Sequence, residues 1–316
     1  MLKKIFAKMG VGAAKVDLTL NENTYKLGEH VEGKIKVQGG KIEQHINFIN
    51  VELWLEVRGR NGQFHTHKVA SIPIVSSFLI REGEEKEWGF KYDLPMDIPI
   101  SASNCSYFFQ THLDIEGGAD AKDRDDIRIK APEALYQFVE ALESLGFREK
   151  QHSGQFNGYK QEFEFFPTSQ FQRRIRELEF EVAVEDKGLR ILLELDLPSF
   201  GREREIKREI SFSTEELSNN KKLQQSLHQI IEEMIDNPAS YEHFQPSHYQ
   251  RGEYKRGMSG LGGAMGGFAA GMIGGMLLGE VMDDMFEDVA FDDIQEDLEG
   301  ADDLFDGDFF SGDDEW

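Results

Sequence analysis

The sequence predicts a mainly β protein built from two antiparallel β-sandwich domains in tandem, accompanied by two amphipathic helices. Three observations lead to this fold class. Apolar and polar residues alternate over most of residues 15–129 and again over 163–212. Turn sequences separate the alternating runs, and two segments show the apolar period of an amphipathic helix. Short alternating strands divided by turns are typical of antiparallel sandwiches.

The first predicted domain spans residues 1–130. Val16, Leu18 and Leu20 alternate with polar residues, and the same pattern returns twice more before residue 58. The pair Gly39-Gly40 is one of the turns between these runs. The prolines of residues 93–99 exclude a central strand there, because proline lacks the N–H that a strand ladder needs.

The second predicted domain spans residues 131–239 and contains both helices. Residues 133–145 carry apolar side chains every three or four positions, between Pro132 and Gly146. Residues 215–236 do the same after Ser213-Thr-Glu-Glu216, which matches a capping box. The alternating segments between the helices supply the strands of this domain.

A glycine-rich segment follows a predicted linker at residues 240–256. Residues 257–279 carry no charge and are predicted to form a glycine-zipper helix. Three roles stay open for this segment: a self-associating or docking helix, a membrane-inserted helix, and a low-complexity linker. The predicted helix face consists of glycines spaced four residues apart, namely Gly263, Gly267, Gly271, Gly275 and Gly279.

The last segment, residues 280–316, contains 17 acidic residues and no Lys or Arg. This charge density predicts disorder of the isolated segment. Its bulky side chains could dock on a basic, apolar-lined partner, or the segment could act as a solubilising brush for the glycine helix. The predicted docking residues are Phe305, Phe309, Phe310 and Trp316.

Charge and composition narrow the classes of function. The net charge is −24, and no basic stripe suits phosphate, so nucleic acid is not a predicted partner. Cys105 is the only cysteine, which excludes an internal disulfide and a cysteine-based metal site. The N-terminus has no long apolar region after its lysines, so a cytoplasmic location is predicted.

Several motifs in order resemble one known family. Met9–Asp17 reads MGVGAAKVD and leads into Tyr25-Lys-Leu-Gly-Glu29. Thr111–Ile115 reads THLDI, and Ala141–Phe147 reads ALESLGF. This combination resembles the bacterial sporulation-control family, stage-zero protein M, over about residues 1–245. The resemblance implies that both sandwiches are arrestin-like, and that the protein is a non-catalytic regulator or scaffold. It supplies no catalytic residues.

An acidic loop near residue 120 is a candidate site. In arrestin-like proteins the corresponding connection contributes to a polar core between the domains. The resemblance therefore implies an inter-domain network that could set domain orientation. A calcium site is the alternative, although the spacing of an EF-hand is absent. The residues of this predicted network are Asp120, Asp123, Asp125, Arg124 and Arg128.

The predicted function is regulation or scaffolding through protein–protein contacts in cell-cycle or developmental control. No nucleophile elbow, phosphate loop or zinc-protease motif occurs in the sequence, so no enzyme, cofactor or metal is predicted. The alternative is a membrane-associated structural protein anchored by residues 257–279. The partner proteins, the oligomeric state and any contact of the chain with a membrane are not identified by the sequence.

Overall fold

The computed structural model describes residues 12–59, 62–158, 160–198 and 204–242. The predicted glycine helix, the acidic tail and most of the predicted linker lie outside these described residues. Gly263, Gly267, Gly271, Gly275 and Gly279 are therefore not placed, and neither are Phe305, Phe309, Phe310 and Trp316. Within the described ranges, no helix is both long and apolar enough to cross a membrane.

The described chain is all β up to residue 130. Its strands are β1 (Lys15–Leu20), β2 (Thr24–Lys26), β3 (His30–Gln38), β4 (Gln44–Arg58), β5 (Phe64–Val75), β6 (Phe78–Ile80), β7 (Glu85–Asp93), β8 (Cys105–Ile115) and β9 (Ala121–Lys130).

These strands form two sheets. The smaller has the order β1-β3-β7, and the larger has the order β2-β9-β8-β4-β5 with β6 paired to β4. All pairs are antiparallel except β2 with β9. Along β4 the side chains of Val51, Leu53 and Leu55 are buried, whereas Glu52 and Trp54 lie on the opposite face. The buried faces of the two sheets share one core, so the alternating strands of this half form a two-sheet sandwich.

The second half combines helices with one further sheet. Its elements are α1 (Glu133–Ser144), β10 (Phe147–Glu149), β11 (Phe163–Pro167), β12 (Glu177–Glu185), β13 (Gly188–Leu197), β14 (Arg204–Ser213), α2 (Thr214–Ser218), α3 (Asn220–Asp236) and a 3₁₀ turn (Pro238–Ser240).

The prediction of a second β-sandwich is wrong for the described residues. Strands β10 to β14 form a single antiparallel sheet in sequence order. The helices cover one face of it; for example, the Phe138 ring of α1 lies 5.1 Å from that of Phe180. Alternation predicts that one face of each strand is buried, but it does not specify what buries that face. The apolar stripes of α1 and α3 cover this face, where the prediction placed a second sheet.

The second predicted helix is also interrupted. The chain leaves helical geometry at Asn219, with φ −102° and ψ 81°, so α2 and α3 are separate. The predicted capping box is present, because Ser213 and Glu216 bond each other's backbone N–H groups. Asn219 then caps α3 by accepting a bond from the Lys222 N–H at 3.2 Å. Two successive caps explain why one periodic segment gives two helices.

The two halves are joined by side-chain amides. Gln161 is fully buried, accepts a bond from Ile100 N at 2.9 Å, and donates to Ile100 O at 2.9 Å and Gly154 O at 2.6 Å. Asn104 donates to Phe156 O at 2.8 Å and accepts from Phe156 N at 3.2 Å. These amides connect the segment before β8 to the segment before β11, and they fix the sandwich against the helix-covered sheet.

Candidate interaction surfaces

The acidic side chains predicted as an inter-domain network lie on and before β9. Asp123 and Asp125 point inward, on the same face as Ile127. The Asp123 Oδ2 atom accepts a bond from the Leu18 N–H of β1 at 2.7 Å. Because β1 is the edge strand of the smaller sheet, this bond ties that edge to β9 of the larger sheet.

Asp125 is an electrostatically unfavourable member of this group. Partial burial raises the pKa of its carboxyl from an ordinary 3.8 to about 7, and Asp123, Asp17 and Asp126 add to the rise. Its Oδ2 atom is buried and has no hydrogen-bond partner among the described residues. Protonation of Asp125 relieves its repulsion by the neighbouring carboxylates.

The other three residues of the predicted network are Asp120, Arg124 and Arg128. Asp120 accepts a bond from Ile115 N at 3.1 Å, within the turn before β9. Arg124 and Arg128 are exposed on the opposite side of β9 from Asp123. All the described contacts of the five residues are made within the sandwich. The inter-domain network stays a prediction; on β9, alternate residues point into the sandwich or out to solvent.

The outward side of β9 lies on a second surface, the solvent-facing side of the larger sheet, which we call the outer face. Here the rings of Trp54 and Phe108 stack across neighbouring strands, with centroids 6.4 Å apart and planes 6° from parallel. The Lys68 ammonium lies 5.2 Å from the centre of the Trp54 ring. The Arg124 guanidinium lies 3.7 Å from the centre of the Phe108 ring. Two aromatic rings therefore stand in a row between two cations.

Strand register explains this row. Trp54 on β4 lies opposite both Phe108 on β8 and Lys68 on β5. Two glutamates hold the cations in place: Lys68 Nζ lies 2.7 Å from Glu52, and an Arg124 nitrogen lies 3.5 Å from Glu56. Glu52 also accepts a bond from the Trp54 indole N–H at 3.1 Å. The row is thus ordered before any partner arrives.

The outer face is also locally basic. The outward positions of β9 are four bases and one acid, namely Lys122, Arg124, Asp126, Arg128 and Lys130. This contributes +3 on one strand of a chain whose net charge is −24. The outer face therefore differs in charge from the protein as a whole.

A third surface, the carboxylate face, is the side of the second sheet that the helices do not cover. Glu164, Glu179 and Glu194 stand in register across β11, β12 and β13, and Lys207 follows on β14. Partial burial raises the pKa values of Glu179 and Glu194 from 4.5 to about 7. Neighbouring carboxylates reinforce the shift at Glu179, whereas Lys207 opposes it at Glu194.

The carboxylate face contains its own counter-charges. Two groups of three carboxylates that share Glu179 are close enough to hold an ion, namely Glu162, Glu179 and Glu194, and Glu164, Glu177 and Glu179. Lys160 lies 2.8 Å from Glu181, and Lys207 lies 3.0 Å from Glu194. These ammonium groups provide positive charge within the face itself.

Sequence reasoning overlooked both the outer face and the carboxylate face. The signal for the carboxylate face was present, since Glu177, Glu179 and Glu181 alternate with apolar residues. That pattern marks the solvent side of a half-buried strand. The row of Trp54 and Phe108 had no local signal, because the two residues are 54 positions apart and meet only through strand pairing.

Cys105 is not a candidate for chemistry. Its side chain is buried inside the sandwich, at the start of β8. Burial raises the pKa of its thiol from 9.0 to about 12. Because the thiolate is the reactive form, this cysteine is a packing residue.

These features define a class of protein: a mainly β chain that presents open, charged sheet faces to its surroundings. Residues 2–198 match the family model described as SpoOM protein, Spo0M. The sporulation-control protein spo0M of Bacillus subtilis strain 168 is 34% identical over 254 residues, with coverage of 74% of this chain and 98% of that protein. The crystal structure of B. subtilis Spo0M superposes with a TM-score of 0.60 and 33% identity, covering 70% of this chain and 99% of that chain. The chain belongs to the Spo0M family, as the sequence motifs predicted.

Proposed function

We propose that this protein is a non-catalytic regulator that acts through protein–protein contacts, with the outer face as its recognition surface. Its relative in B. subtilis is named a sporulation-control protein, which supports a regulatory role. The observation that carries the proposal is the row of Lys68, Trp54, Phe108 and Arg124 across the open sheet. Trp, Phe and Arg are the residue types enriched in the centres of protein interfaces.

The chemistry of the row specifies the kind of partner. Trp54 is only partly covered, so its ring can take part in a further apolar contact. Because Glu52 and Glu56 already order the cations, binding loses little side-chain entropy. A partner segment that carries acids beside aromatic or aliphatic side chains would pair with the cations and pack on the Trp54 ring, since the Phe108 ring is buried.

Charge reversal tests this surface. In the double variant Lys68→Glu with Arg124→Glu, we expect the amounts of the proteins that copurify with the full chain from its host to fall about tenfold or more. Both side chains are nearly half exposed, at 43% and 47%, so the fold should survive. The measurement is quantitative mass spectrometry of the tagged full chain and its variants.

A matched control lies on the smaller sheet. Lys34 and Lys36 on β3 are 68% and 50% exposed, and they pair with Glu87 and Glu85. The variant Lys34→Glu with Lys36→Glu should keep the copurifying proteins. If both double variants kept the copurifying proteins in equal amounts, the result would contradict a role for the outer face.

One observation favours a second candidate function, acyl hydrolysis. The His45 Nε2 atom lies 2.8 Å from Ser77 Oγ, and its Nδ1 atom lies 2.9 Å from Glu116 Oε2. Serine hydrolases use this order of groups. An apolar groove of about 290 Å³, lined by residues 48–50 and 73–76, lies beside Ser77. It ranks second because His45 Nδ1 lacks hydrogen-bond alignment with Glu116, whose side chain is 65% exposed.

A covalent probe separates the two functions. For a non-catalytic protein, we expect a fluorophosphonate to leave Ser77 unmodified, as in the Ser77→Ala variant. Intact-mass measurement of the full chain reads the result, with neighbouring Ser76→Ala as the matched control. Labelling that depends on Ser77 but not on Ser76 would establish the hydrolase.

A further inference from the structure

We propose that the chain's own acidic tail, residues 280–316, docks on the outer face and competes there with the partner. This inference rests on the proposed function of the outer face. The tail carries 17 acids and no bases. On β9 the outer face presents Lys122, Arg124, Arg128 and Lys130 against a single acid, Asp126. Opposite charge in one molecule attracts the tail toward this face.

Charge alone would give a diffuse attraction, but the tail also matches the aromatic row. Phe305, Phe309 and Phe310 lie among acids, and Trp316 ends the chain after three more. Trp54 offers a partly exposed ring beside Lys68, and it stacks on Phe108, whose own ring is buried under Arg124. A segment in which acids alternate with aromatic rings can therefore pair with the cations and pack on the exposed part of the Trp54 ring.

The carboxylate face would repel this tail. Partial burial already raises the pKa values of Glu179 and Glu194 to about 7, and neighbouring carboxylates add to the rise at both. Adding tail acids there would increase the repulsion. Of these two open sheet faces, the outer face alone has a charge opposite to that of the tail.

The connecting chain is long enough for this contact. Residues 243–279, a stretch of 37, separate the last described residue from the tail. A chain of that length spans about 55 Å if helical and about 120 Å if extended, compared with a radius of gyration of about 13 Å for a 100-residue domain. Attachment also raises the local concentration of the tail at the outer face to the order of millimolar. Even a weak contact would then be populated.

The tail lies beyond the part of the chain that the family model matches. The family model ends at residue 198, and the B. subtilis relative covers 74% of this chain. A competing tail would thus be a regulatory element added to a family body. Partners of the outer face would have to displace it.

Lysine acetylation of the purified full chain tests this proposal. With N-hydroxysuccinimide acetate at about 0.1 M salt, Lys122 and Lys130 should react about threefold more slowly than in the chain ending at residue 279. Peptide mass spectrometry gives the rate at each lysine. The protection should disappear at about 1 M salt, where the screening length is about 3 Å. Lys34 and Lys36 are exposed on the smaller sheet, and each should react at the same rate with and without the tail.

A second variant separates docking from diffuse attraction. Phe305→Ser, Phe309→Ser and Phe310→Ser together keep every tail charge and should abolish the protection. Equal rates at Lys122 and Lys130 with and without the tail would overturn the proposal, and so would protection that survives the triple change. Because no partner protein is present, the result is independent of whether the outer face binds one.

Discussion

Replacing Gln161 with leucine is expected to lower the free energy of unfolding by about 2–4 kcal/mol. The side chain is fully buried and makes three hydrogen bonds, to Ile100 N, Ile100 O and Gly154 O. Leucine has a similar volume but no polar atoms, so it would leave these buried backbone groups unpaired. Each such group costs about 1–3 kcal/mol.

The effect of this change should exceed that of a nearby surface change. Gln155 makes an exposed bond to Ser103 Oγ at 3.2 Å, so Gln155→Leu should alter stability by less than about 0.5 kcal/mol. Urea unfolding of the two variants and the parent chain gives both values. Equal stability of Gln161→Leu and the parent would show that Gln161 does not hold the two halves together.

Replacing Glu179 with glutamine should stabilise the protein at pH 8 by about 1–2 kcal/mol, a range reduced for solvent screening at this partly exposed site. Burial and neighbouring carboxylates raise the pKa of Glu179 from 4.5 to about 7 in the folded state. The folded state therefore binds more protons than the unfolded state between these values. Its stability falls as the pH rises through this window, and the cost is complete above pH 7. Glutamine carries no charge and avoids that cost.

The pH dependence of this gain is the decisive feature. At pH 5 Glu179 is largely protonated in the folded protein, so the gain from glutamine should shrink toward zero. Glu149→Gln, an exposed change on β10, should have little effect at either pH. Chemical unfolding at pH 5 and pH 8 provides the comparison. A gain of the same size at both pH values would contradict the electrostatic origin.

The strands of the sandwich were predictable because each has one buried and one exposed face. Val51, Leu53 and Leu55 are separated by single polar or amphipathic residues, and that period specifies a half-buried strand. The same rule gave the strands of the second sheet. It could not distinguish a covering sheet from covering helices, so the second sandwich was predicted wrongly. What covers a face is a tertiary property.

The surfaces were less predictable than the strands. The acids of β9 are conspicuous in the sequence, yet their side of the strand depends on the pairing of β9 with β8. Gln161 carries no sequence signal at all, because its importance comes from burial against a loop 61 residues away. Trp54 and Phe108 likewise become neighbours only when β4 pairs with β8. Contacts that depend on strand order cannot be predicted from a local sequence pattern.

Photo-crosslinking in the host cell tests the outer face most directly. The photoreactive residue p-benzoylphenylalanine would be placed at Thr66, exposed on the outer face, and in a separate chain at Thr19, exposed on β1 of the smaller sheet. Crosslinked proteins would then be identified by mass spectrometry. We predict a discrete set of crosslinked proteins from Thr66 that is absent from Thr19 and increases when residues 280–316 are removed. The same crosslinks from both positions, or none from Thr66 with or without the tail, would contradict recognition through the outer face.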